Sequence, residues 1–118
     1  MYINPVGELL PAASCVCFAA PYQSLVIEEE LGMDENFAEI FILTCPLCGQ
    51  KWLKVLYEIE SFTASGRWFM GAVTEEQAFV LKAENARRTL EDSSWYFYGG
   101  SYFGGQIGRA SGKILLNP

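Results

Sequence analysis

A chain of 118 residues is the size of one domain, read as 1–118, and its hydrophobic half is enough for a core, although domains this small benefit from a crosslink. With 8 Lys and Arg against 14 Asp and Glu, a formal charge of −6, the chain lacks the clustered basic residues that phosphate contacts need, which argues against nonspecific nucleic-acid binding. No stretch is apolar for long enough to span a membrane, and residues 1–14 hold neither a basic residue nor a continuous apolar run, so no secretory signal is read there. The expected compartment is the cytoplasm, where thiols stay reduced.

Residues 1–21, punctuated by Pro5, Pro11 and Pro21, read as extended or looped. Residues 22–32 are ambiguous: Leu25 and Ile27 alternate as in a strand, while Glu28, Glu29, Glu30 and Gly32 would equally close a short helix. Residues 37–44 are aromatic and β-branched, the pattern of a strand buried on both faces. Residues 52–60 alternate, with Leu53, Val55, Tyr57 and Ile59 on one face and Lys54, Glu58 and Glu60 on the other. These two runs predict a hairpin with Cys45 and Cys48 at its tip, and residues 68–73 a third strand. Thr74, with Gln77 three residues on, has the form of a capping box. Phe79, Ala83, Ala86 and Leu90 then recur at helical spacing, which predicts one helix over about 75–92. A strand at 95–98, a tight turn and one or two short strands close the chain. The fold class expected is α+β, a mostly antiparallel sheet of about four to six strands with that helix packed on it.

The four cysteines form two close pairs, C-x-C at Cys15 and Cys17 and C-x-x-C at Cys45 and Cys48, and there is no histidine. A tetrahedral zinc site takes four ligands, and these thiols supply the set with none left over. Cys45-Pro46-Leu47-Cys48-Gly49 resembles the knuckle of zinc-ribbon and rubredoxin-type proteins over residues 37–60. The resemblance implies a zinc-knuckle hairpin in which Gly49 takes a positive φ and Cys15, Cys17, Cys45 and Cys48 hold a structural Zn2+. The C-x-C pair departs from that family, which more often repeats C-x-x-C. Four free buried thiols, disulfides, iron, or a redox-active C-x-x-C are the alternatives. Four thiolates would close the shell to water, and without histidine no nucleophile–imidazole pair is possible, so no catalytic residue is expected.

Glu28, Glu29, Glu30, Asp34 and Glu35 form an acidic run. Its plain reading is a solvated surface; the sharper one is a docking face for a basic protein. Tyr102 and Phe103, among glycines, are candidate anchors of the same interface. Gly104, Gly105 and Gly108 match no phosphate-binding loop, and Lys113 is followed by Ile114 rather than Ser or Thr. In size, acidity and lack of catalytic groups the chain resembles the small immunity proteins that bind and neutralise bacterial toxins, which implies a protein partner such as a basic toxin domain. A zinc-ribbon module of a nucleic-acid machine and a small redox or acid/base enzyme are the rival readings.

Overall fold

The structure, a computed structural model, describes residues 2–3, 7–10, 14–57 and 66–114. Ile59, Glu58, Glu60 and the tail beyond Ile114 lie outside the described residues. Two two-residue strands, β1 (Tyr2–Ile3) and β2 (Leu9–Leu10), pair with each other. A one-turn helix, α1 (Val16–Ala19), follows. The rest is one antiparallel meander of six strands whose order in the sheet is their order in the chain: β3 (Val26–Met33), β4 (Glu39–Thr44), β5 (Lys51–Tyr57), β6 (Arg67–Val73), β7 (Tyr96–Gly99) and β8 (Gly108–Ala110). The ambiguous segment after residue 22 is therefore a strand. Pairing with β4 decides it, and two bulges leave Glu28 and Leu31 as the extra residues.

Period-2 alternation sends the side chains of each central strand to two different cores. One face gathers Ile40, Ile42, Leu53, Val55, Phe69 and Tyr96 beneath two helices. The other gathers Leu43, Trp52, Met70 and Phe97 with three of the cysteines. β4 is accordingly buried on both faces, as its sequence predicts. Trp52 is fully enclosed and packs on Phe18, Trp95 and Phe97, with ring centroids 5.0, 6.3 and 5.8 Å away. Arg109 of β8 lies over the Trp95 ring at 4.3 Å, and its guanidinium donates to the Phe18 carbonyl, which ties the segment after α1 to this face.

The predicted helix at 75–92 is two helices, α2 (Glu75–Val80) and α3 (Ala83–Glu91). The Thr74–Gln77 capping box is present at its start. The break comes from Asn85, whose Oδ1 accepts the Lys82 N–H and whose Nδ2 donates to the Val80 carbonyl, so a second N-terminus is capped in mid-run. Leu81 turns extended and enters the core in place of Phe79, which is left 90 % exposed. Ala86 and Leu90 are buried as the periodicity requires. The glycine-rich tail is a lock rather than a ligand loop. At Gly100, φ is 114° and an added Cβ would lie 2.5 Å from the Gly66 carbonyl oxygen. The same oxygen accepts the Tyr102 N–H, and Ser101 Oγ accepts the Gly66 N–H.

Candidate metal centre

The β4–β5 connection is a tight turn in which the Gly49 N–H donates to the Cys45 carbonyl and the Cys45 N–H to the Gln50 carbonyl, both at 2.9 Å. Gly49 has φ 78°, a conformation an L side chain adopts only with strain, which is why glycine follows the second cysteine. Gln50 fixes the turn to the sheet by donating from Nε2 to the Lys51 and Val73 carbonyls. The other pair sits at the start of α1: Cys15 is its N-cap and Cys17 lies in its first turn. Straddling a helix start points both sulfurs one way and leaves the intervening Val16 outside, 54 % exposed. Leu47, inside the second pair, is likewise turned outward.

The two pairs meet. The four Sγ atoms all lie within 4.8 Å of one another. Cys15 Sγ is 3.8 Å from Cys45 Sγ, and Cys17 Sγ is 3.7 Å from Cys48 Sγ. These distances are far beyond a disulfide bond of about 2.05 Å, and all four cysteines are free. Cys15, Cys17 and Cys45 are buried and Cys48 is half-buried. Burial pushes the Cys17 and Cys48 thiols up. Burial raises Cys15 too, but the Cys17 backbone N–H and the neighbouring thiols outweigh it, so Cys15 moves down and is the thiol of these three most ready to carry negative charge. Four thiols within 4.8 Å of one another can hold a metal ion, which would draw off their protons.

The expected docking residues have different surroundings. Glu28 accepts from Lys51 Nζ at 2.6 Å and from Thr44 Oγ1 at 3.1 Å, which holds its carboxyl below the usual range. Asp34 Oδ1 accepts the Asn36 and Ala38 N–H groups and so builds the β3–β4 turn. Asp34 and Glu35 also line a polar cleft with Glu84, Glu91, Arg87 and Arg88. Glu29, Glu30 and Glu35 remain exposed. Tyr102 is half exposed but stacks on the buried Arg67 guanidinium at 4.1 Å. Phe103 is partly buried against Phe69 and Tyr98. Among the exposed apolar residues are Phe37, 78 % exposed at a positive φ of 63°, and Phe79, both of which the sequence pattern places on buried faces. Phe37 precedes β4, which starts at Glu39, so it lies outside the strand that the sequence pattern assigns it to.

Among the described residues no helix is long and apolar enough to cross a membrane. No known family model matches the chain, and no curated protein or solved structure is significantly similar to it.

Proposed function

We propose that the chain is a non-catalytic cytoplasmic interaction domain, stapled by one zinc ion on Cys15, Cys17, Cys45 and Cys48, that acts as an immunity protein by binding a basic toxin domain. The sulfur spacing carries the metal reading. Four thiolates at about 2.3 Å from a tetrahedral zinc lie about 3.8 Å from one another. The Cys15–Cys45 and Cys17–Cys48 separations of 3.8 and 3.7 Å fit that spacing, and all four sulfurs lie within 4.8 Å of one another. Four thiolates complete the shell, so the ion would bind no water and its work would be cohesion of the turn, α1 and the sheet. Metal analysis of the purified protein is expected to give one zinc per chain, with thiols that react with a disulfide reagent only after chelation. Four thiols that react at once in metal-free protein of unchanged thermal stability would overturn the staple.

The partner reading is supported by the formal charge of −6 and by the exposed Glu29, Glu30 and Glu35, with Phe37 and Phe79 as apolar anchors of the kind interfaces use. Inhibition of a toxin domain encoded beside this chain at one-to-one stoichiometry is the expected result. Lysine at positions 29, 30 and 35 together should slow association on the order of tenfold at low salt. A toxin equally active with and without the protein would sink the immunity reading, and an unchanged association rate would remove these three carboxylates from it.

A further inference from the structure

The face of the sheet that carries the cysteines is not fully covered. Beside the metal centre, a cavity of about 410 Å³ opens between the segment after α1 and the β7–β8 connection. Its walls are Tyr22, Leu25 and Ile107, and its floor is Leu43, Met70 and Trp68. Lys54 rises into it from the middle of β5, where it pairs in register with Phe41 on one side and Met70 on the other. Its Nζ stands 5.7 Å from the centre of the Trp68 ring. Among the described residues no carboxylate forms an ion pair with Lys54, whereas Lys51, three residues earlier on the same strand, is paired with Glu28. Burial pulls the Lys54 amine below its ordinary value of 10.5, so the surroundings withhold the solvation that an ammonium needs.

A cavity of this size, mostly apolar and aromatic with one convergent charged group, has the make-up of a small-molecule site. The charge selects the ligand's sign, and the apolar walls select its body. We propose that this cavity binds an organic monocarboxylate, its carboxylate on Lys54 Nζ and its hydrocarbon or aromatic body against Leu43, Trp68 and Met70. An amine would meet a like charge, and an alcohol of the same shape would bury the walls without a counter-ion. The carboxylate therefore gains a hydrogen-bonded ion pair that neither competitor can make. The ligand would touch none of the four cysteines and none of the exposed carboxylates, although Tyr22 and Leu25 lie on the segment that packs with the cysteines, so the site is tested on metal-replete protein.

The test is titration of decanoate and 4-phenylbutanoate into isotopically labelled, metal-replete protein, followed by amide NMR, beside decanol and 4-phenylbutanol. The acids are expected to shift the signals of Leu25, Leu43, Lys54, Trp68 and Met70 and to bind about tenfold or more tightly than the matching alcohols. Lys54→Met should lower the acids to the affinity of the alcohols. Leu25→Trp, which fills the cavity while keeping the lysine, should weaken acid and alcohol alike. Acids that shift none of these signals, alcohols that match the acids, or a Lys54→Met protein that keeps its preference for acids would each overturn the proposal. Zinc content unchanged across both variants separates a failure here from a failure of the metal reading.

Discussion

Phe37 holds the least comfortable backbone among the described non-glycine residues, with φ 63° and its ring in solvent. A left-handed conformation costs a side-chain-bearing residue roughly 1–2 kcal/mol. Phe37→Gly should therefore stabilise the protein by about 1 kcal/mol in urea denaturation. Loss of stability instead would show that the ring packs against the fold. If the ring is an interface anchor, the same variant will fold better and bind worse. At this scale the cysteines were legible because their chemistry leaves few options: four thiols in two close pairs, without histidine, must share a metal, pair, or stay buried. The carboxylates were not legible, because what a carboxylate does depends on its neighbours. Nothing in the local sequence tells Glu28 that Lys51 will lie 2.6 Å away across two strands, or that Asp34 will spend its Oδ1 on a turn while Glu29 and Glu30 do not.

The elements follow local rules up to the points where a side chain offers a competing cap. The β4–β5 hairpin, β6 and β7 could be read from alternation and turn chemistry to within two residues, apart from residues 58–60. The apolar repeat from Phe79 to Leu90 was also real in its second half, but periodicity does not see Asn85, which caps Lys82 and divides the helix. The extended form of β3 was undecidable alone, since its Glu-rich run is exposed and only the ladder to β4 fixes it. In the tail, glycine marked a constraint whose partner lies 34 residues earlier, the Gly66 carbonyl. Gly100→Ala would need both an unfavourable φ and a shift of backbone, not of a flexible side-chain end. It should cost at least about 2 kcal/mol and loosen the 3-10 turn at Ser101–Phe103. A melting temperature within a degree of the parent protein would show that the 99–105 segment relaxes freely and is no lock.

For the whole molecule, the sheet is two-sided, and different devices cover its faces. The helix side is closed by ordinary apolar packing from Leu81, Ala86 and Leu90. The opposite side is held by α1 and the stretch behind it, through the sulfur cluster, the Phe18–Trp52 contact and Arg109. Chelation should therefore unseat one side before the other. Residues 15–25 should lose hydrogen-exchange protection and tryptophan emission should move to the red as Trp52 meets water, while α3 stays protected. Simultaneous loss of protection on both sides would mean the metal underwrites the entire fold. A mostly antiparallel sheet was legible, but its strand order was not, since two helices separate β6 from β7; nor was the division of labour between the faces, because it depends on which way residues 14–25 fold back. That fold-back also sets an order of events during synthesis. Each hairpin of the meander can zip onto the last as it leaves the ribosome, but the first cysteine pair to emerge has nothing to grip until residue 48 follows. Residues 15–17 thus stay unseated until the turn at residue 48 is made, and a ribosome stalled ahead of it would display their thiols to oxidants and stray metals.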